Sequence, residues 1–168
     1  FLHRSWGPLE PFDDSAPEML GRNGVHTHLA SDHVHYWEDG GATYHPRYTT
    51  WEFERGQEGD PWKGVVGSPD PSANVMLRSR AQDRVNRTHM STEASHVQTR
   101  TVDAGLEFLR TNAEADRWML QLELFDPHEP FFAAERFRQA RGLDADASAD
   151  WPAYRRVLES DDDVARTR

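Results

Sequence analysis

Alternation of apolar and polar positions predicts two strands in this chain. In residues 25–31 (VHTHLAS), Val25, Thr27 and Leu29 alternate with His26, His28 and Ala30, and this period of two is typical of a short strand. Residues 118–125 (WMLQLELF) place Trp118 and three leucines on one face, while Met119 and Phe125 make the other face partly apolar. We expect this second strand to be covered on both sides, as in a sheet flanked by helices.

Apolar positions spaced by three and four residues predict helices around these strands. The strongest helix opens at Ser91 or Thr92 and ends at Asn112, and residues 74–90 have weaker helical character. Two short helices are also predicted, one capped by Asp14 or Ser15 and stopped by Asn23-Gly24, and one over residues 134–141. This order of elements predicts an α/β fold with a mainly parallel sheet. Because two strands do not make such a sheet stable alone, we expect the chain to be part of a larger domain.

The periodicity disappears between Asp32 and about Ser72. This stretch is rich in tryptophan and tyrosine among glycines and prolines, whereas a solvated linker is poor in aromatic residues. Long irregular segments inside a compact domain are commonly functional when they are ordered. We therefore predict a long ordered excursion over 32–72 that lines or covers a site.

Charge and composition exclude several classes of protein. The 168 residues include 19 basic and 29 acidic side chains, for a net charge of -10, and no basic stripe suited to a phosphate backbone is present. No apolar run approaches the roughly 18 residues that a membrane-spanning helix needs. The absence of cysteine excludes disulfides, thiolate metal sites and a cysteine nucleophile within these residues.

The histidines point to a site because they follow both predicted strands directly. Asp32, His33 and His35 come after the first strand, and His128 lies in Asp126-Pro-His-Glu-Pro130 after the second. Ligands of open α/β sheets bind beyond the carboxyl ends of the strands, so both groups are expected to face one pocket. Imidazole there can donate to an anionic substrate or protonate a leaving oxygen.

Other interpretations of these residues stay open. His33 and His35 are two positions apart, so one is expected to point inward and the other to be an ordinary surface or core residue. Asp32 with His33 offers two metal ligands, but two ligands are half a site and no third follows at a fixed spacing. Asp126 and Glu129 fit either a general-base pair or simple turn chemistry.

Most of the chain resembles an internal stretch of a sulfatase, a member of the alkaline phosphatase superfamily. The segments that carry the resemblance are GPLEPFDDS at 7–15, NGVHTHLASDHVHYWEDGGATYHPRY at 23–48, WEFERGQEGDPWKG at 51–64 and LQLELFDPHEPFF at 120–132. The resemblance implies a sulfatase-type sheet and a single partial catalytic domain over 1–168. It also implies hydrolysis of a sulfate monoester, with a sulfated small molecule or glycan as the substrate.

The resemblance implies roles for individual residues. His35 matches the histidine of the family's G-K-x-H region, His33 stands for its lysine, and Asp32 precedes both in the substrate-binding segment. His128 matches the family's strand-end histidine, which binds the sulfate or its bridging oxygen. His35 and His128 are therefore the expected catalytic residues, and His33, His128 and Asp32 the expected substrate-binding residues.

The same family uses two groups that this sequence does not contain. One is a formylglycine made from the cysteine or serine of a C/S-x-P-x-R motif; the nearest approach here is Ser15-Ala-Pro-Glu, with Met19 in place of arginine. The other is a divalent metal, Ca²⁺ or Mg²⁺, whose paired aspartates and D-H-G motif are absent. We expect both to lie outside this chain, which would then be inactive and of low stability alone.

Two alternatives to a sulfatase follow from the same residues. The superfamily also contains phosphodiesterases and phosphonate monoester hydrolases on the same scaffold. From a different class, a non-catalytic module could use the aromatic residues of 36–62 to bind a sugar or a partner. The strand-end histidines favour an esterase, since simple binding would not need them.

Overall fold

A computed structural model describes residues 8–67, 75–131 and 133–142. Its strands are β1 (His26–Ser31), β2 (Thr50–Phe53) and β3 (Trp118–Glu123), and its helices are α1 (Ala16–Arg22), α2 (Val75–Arg87), α3 (Val97–Thr111) and α4 (Glu135–Ala140). Three single 3₁₀ turns occur at Val34–Tyr36, His45–Arg47 and Glu93–Ser95. The fold is α/β, as the order of elements predicts.

The three strands form one open parallel sheet in the order β2-β1-β3. Ser31 pairs with Phe53 on one side and with Glu123 on the other, so all three strands end at the same edge. This confirms the predicted parallel sheet and places the segments that follow the strands side by side.

One strand lies inside the stretch predicted to be irregular. Residues 50–53 form β2, which pairs with residues 28–31 of the central strand. The remaining described part of the excursion is irregular apart from its two 3₁₀ turns, and residues 68–72 lie outside the described residues. The sheet thus has one strand more than the sequence pattern predicts.

The central strand β1 carries the core. Its residues from Thr27 to Ser31 are all buried, because β1 has a neighbour on both sides and α3 across one face. From α3, Phe108 stacks on His28 with 4.5 Å between ring centroids. Strand β3 differs from its prediction, since it is only half-buried and Leu122 is exposed, as expected for the edge of the described sheet.

Capping interactions mark the turn before α3 and the end of α3, whereas Ser15, predicted to cap α1, forms no capping hydrogen bond there. Thr92 and Ser95 form a capping box, in which each side chain pairs with the other's backbone N–H, and α3 begins after it at Val97. Asn112 ends α3, where its side chain and backbone N–H both donate to the Phe108 carbonyl at 2.8 and 3.1 Å. The predicted helix from 91 or 92 to 112 is therefore confirmed with its start a few residues later.

The chain divides into two compact units, Phe1–Phe125 and Asp126–Arg168. The first contains the sheet with α1, α2 and α3. The described part of the second consists of the turn at 126–131 and helix α4, which confirms the short helix predicted over 134–141.

Candidate functional site at the carboxyl end of the sheet

Asp32 ties the end of β1 to the end of β3. Its carboxylate is fully buried, and Oδ1 accepts the backbone N–H of Phe125 at 2.7 Å. This bond joins two segments that are 93 residues apart in the sequence. Asp32 therefore positions the site, while its predicted contact with the substrate stays a prediction.

His33 and His35 meet at this edge. The 3₁₀ turn at Val34–Tyr36 follows β1 directly, so the alternation of an extended chain does not separate their side chains. Their ring centroids lie 5.4 Å apart, and both rings contact Phe125, at 5.0 and 5.7 Å. The structure thus brings two predicted site residues onto one aromatic side chain, although their i, i+2 spacing predicted different surroundings.

Each of these imidazoles is held by a carboxylate through Nδ1. His33 Nδ1 lies 3.2 Å from Glu123 Oε1, and His35 Nδ1 lies 2.7 Å from Glu38 Oε2. Because a carboxylate accepts, Nδ1 carries the proton in each ring. Neither Nε2 has a hydrogen-bonding partner among the residues that the structure describes, so each can accept or donate a proton at that atom.

Glu123 lies at the centre of the hydrogen bonds around this site. The Tyr36 hydroxyl donates to its two carboxylate oxygens, at 2.7 Å to Oε1, which His33 also contacts, and at 2.6 Å to Oε2. Burial would raise the pKa of Glu123, but the hydrogen bonds from His33 and Tyr36 outweigh it and lower the pKa. Burial and the bond to Glu123 raise the pKa of Tyr36, so the phenol stays a donor.

An aromatic cluster lies beside the histidines and accounts for much of the aromatic content of the excursion. Trp37 stacks on Phe53 at 3.8 Å and on His45 at 4.4 Å, and Trp51 meets His45 edge-on at 4.8 Å. Because Trp37 follows the histidine turn and Phe53 ends β2, this cluster fixes the turn against the neighbouring strand.

His128 belongs to the second unit. It lies between two prolines whose preceding peptide bonds, Asp126-Pro127 and Glu129-Pro130, are cis. Its Nδ1 lies 3.0 Å from the Glu129 carbonyl oxygen and 3.5 Å from a Glu129 carboxylate oxygen. These contacts orient the ring within its turn, and its catalytic role stays a prediction.

Sequence reasoning missed Glu123 and Tyr36. A signal for Glu123 exists, because it is the one acidic residue in the apolar strand segment 118–125. A carboxylate at such a position has to be paired, since burying it alone is costly. No comparable signal exists for Tyr36, which reaches Glu123 across 87 positions of the sequence.

The described residues do not form a metal cage. Over 8–67, 75–131 and 133–142, no three histidine, aspartate or glutamate side chains converge in a way that could hold a metal ion. Asp32 and His33, the half-site noted in the sequence, are engaged with Phe125 and Glu123.

Searches for membrane segments and for relatives complete the description. No helix in the described portion has the length and apolar character needed to cross a membrane. Comparison with known protein families, with characterised proteins and with solved structures found no match to this chain.

Proposed function

We propose that this chain is part of a sulfuric ester hydrolase of the alkaline phosphatase type, which cleaves a sulfate monoester. The observation that supports the proposal most is the pair His33 and His35 at the end of the central parallel strand. Each ring is oriented by a carboxylate, and each has Nε2 available for proton transfer. The pair lies in the segment that carries the resemblance to sulfatases.

In this proposal the histidines bind the sulfate and supply the proton that the leaving oxygen needs. Protonated His33, whose charge Glu123 balances, binds the sulfate oxygens in place of the family's lysine. His35, when both of its ring nitrogens carry a proton, donates the one on Nε2 to the bridging oxygen. The S–O bond to the leaving alcohol breaks as the sulfuryl group passes to a nucleophile from outside this chain. For His128, the resemblance implies a hydrogen bond to the sulfate or its bridging oxygen. Well-placed acids of this kind contribute about 10²–10⁴-fold to the rate.

The formylglycine and the divalent metal of the proposed enzyme come from parts of the protein outside this chain. When bound, the metal would supply charge that neutralises the sulfate oxygens. The described residues of this chain provide the orientation of two imidazoles, a buried carboxylate and the aromatic wall beside them.

The test is turnover by the full-length protein with single substitutions in this chain. We expect His35→Ala and His128→Ala to lower kcat for an aryl sulfate by at least about 100-fold. His26→Gln is the matched control, because His26 lies at the opposite end of β1 and bonds Thr50. Unchanged kcat in both alanine variants would refute the proposal.

A second comparison separates sulfate from phosphate chemistry. The wild-type protein is assayed with an aryl sulfate and with the aryl phosphate and phosphonate of the same alcohol. Preference for the sulfate by about tenfold or more is expected, and a reversed preference would favour the phosphodiesterase or phosphonate hydrolase alternative. No turnover of any ester, with binding of a sugar retained, would favour the binding module.

A further inference from the structure

A cleft of about 410 Å³ opens beyond the carboxyl end of β2. The backbone N–H of Glu54, the first residue after β2, donates to the Ser31 carbonyl at 2.9 Å, so the cleft begins one strand away from the segment 32–35. Its lining consists of Phe53, Glu54, Arg55, Trp62, Lys63, His89 and Arg100.

Two guanidinium groups of the cleft are fixed by carboxylates. Arg55 forms a two-pronged ion pair with Asp60, whose carboxylate is fully buried and also accepts the Gly56 N–H at 2.9 Å. Arg100 donates from Nε to Glu54 at 2.7 Å and from another nitrogen to the Arg55 carbonyl at 2.5 Å. Each guanidinium group is therefore held in one position, and one carboxylate balances its positive charge.

Lys63 is the cation of the cleft that has no matching carboxylate. Its ammonium lies 4.3 Å from the Trp62 ring centroid, and Arg100 lies 5.3 Å from the same ring. No carboxylate comes within 4.0 Å of the Lys63 ammonium in the described ranges. The cleft thus has one positive charge in excess, in a chain whose net charge is -10.

Hydrogen bonds from side chains of helix α2 hold the backbone around Lys63 in place. Gln82 donates to the Lys63 carbonyl at 2.9 Å, and fully buried Asn86 donates to the Asp60 carbonyl at 2.8 Å. Gly56 has φ of +123°, and a side chain there would lie 3.0 Å from the Trp62 ring. Helix α2 and this glycine therefore hold the indole and the ammonium in place.

We propose that this cleft binds an oxyanion group of the substrate, a carboxylate or a sulfate, distinct from the ester that the histidines face. Lys63 supplies the charge, Trp62 holds its ammonium in position, and the rigid guanidinium groups of Arg55 and Arg100 widen the cationic wall. The substrate class is then an organic sulfate with a second anionic group. The role in catalysis rests on the proposed function, whereas the binding of an anion does not.

Binding is tested first with inorganic sulfate and with acetate at constant ionic strength, on the purified chain at a temperature at which circular dichroism shows it folded, or on the full-length protein where the chain alone does not fold. We expect tryptophan fluorescence to report saturable binding in roughly the millimolar range. Lys63→Met should weaken the affinity for the anion at least tenfold, and Lys63→Arg should retain this affinity. Arg110→Gln, an equal change of charge at an exposed position of α3, should leave it unchanged. Equal affinity in Lys63→Met and wild type, or no saturable binding of either anion, overturns the proposal.

Catalysis is tested separately with the full-length protein. Phenyl sulfate is compared with 4-carboxyphenyl sulfate, which carries a second anionic group. Lys63→Met should raise KM for the carboxylated ester about tenfold and leave KM for phenyl sulfate unchanged. Equal effects on both esters would contradict a separate subsite. If neither ester is turned over by the wild type, the proposed function fails while the anion titration still decides the cleft.

Discussion

At the scale of single residues, the histidine site depends on the carboxylate of Glu123. His33 Nδ1 lies 3.2 Å from this carboxylate, and the Tyr36 hydroxyl donates to it. Glu123 therefore joins the turn after β1 to the end of β3.

The lowered pKa of Glu123 has a consequence for stability. A carboxylate whose pKa is depressed in the folded state stabilises that state above its ordinary value of 4.5, and this stabilisation is lost as the pH falls through the folded value. We expect Glu123→Gln to lower the free energy of unfolding by about 1–3 kcal/mol at pH 7. The cost should shrink as the pH falls through the lowered folded pKa, where Glu123 itself becomes protonated.

Urea unfolding of both proteins in steps from pH 7 down to the acid limit of the folded state measures this difference. Glu107→Gln is the control, because it makes the same chemical change at an exposed position of α3. A cost of Glu123→Gln that is equal throughout this series would show that the carboxylate's charge does not matter to the fold.

The positions of His33 and His35 after a strand could be predicted from sequence, because a parallel sheet brings strand ends to one edge. Their carboxylate partners could not, since Glu123 lies 90 positions from His33. These contacts depend on the register between β1 and β3 and on the turn after β1.

At the scale of elements, the apolar pattern correctly predicts β1, β3 and the four described helices, and it misses β2. Strands β1 and β3 show their apolar pattern because they pack against helices or other strands. Strand β2 is only four residues long, with three exposed, and it lies among aromatic residues that pack on one another. Strand β2 forms because it pairs with β1. The four residues Thr50–Phe53 are too few to show a periodicity from which the strand could be predicted.

The packing of α3 on β3 depends on a small residue at Gly105. A Cβ added there would lie 3.2 Å from a methyl group of Leu122, so the helix approaches the strand closely. We expect Gly105→Ala to be nearly neutral, since the gain of about 1 kcal/mol in helix propensity offsets this mild crowding. Gly105→Leu should cost about 1–3 kcal/mol through overpacking.

Thermal and urea unfolding of the two variants test this contact. Leu106→Ala serves as the control, because Leu106 is exposed on the same helix. If Gly105→Leu is as stable as the wild type, the helix has room that the structure does not show.

At the scale of the whole molecule, the buried part of the described chain is unusually polar. Eight hydrophobic residues are buried, against ten polar or charged ones, among them Asp32, Asp60 and Asn86. Polar groups stabilise a core less than apolar ones do, because their hydrogen bonds replace equally good bonds to water. The isolated chain therefore has a weak driving force for folding.

We expect the purified chain to unfold below the range of about 45–65 °C that is common for mesophilic domains, and to show no turnover of aryl sulfates. Circular dichroism during heating and a sulfatase assay on the same sample measure both. The full-length protein is the positive control for activity. Robust turnover by the chain alone would contradict the proposal that the nucleophile and metal are supplied from elsewhere.

The arrangement of the sheet also affects how the protein is made. Strand β1 pairs with β2 about 20 residues later, but its other partner follows about 90 residues later, as the contacts of His28 with Thr50 and of His33 with Glu123 show. At about 5–20 residues per second, a ribosome needs roughly 5–20 s to produce that second partner. During this interval one edge of β1, the most buried strand, is open on the nascent chain. Chaperone binding and slower translation of the intervening segment would therefore be expected to affect the yield of this protein strongly.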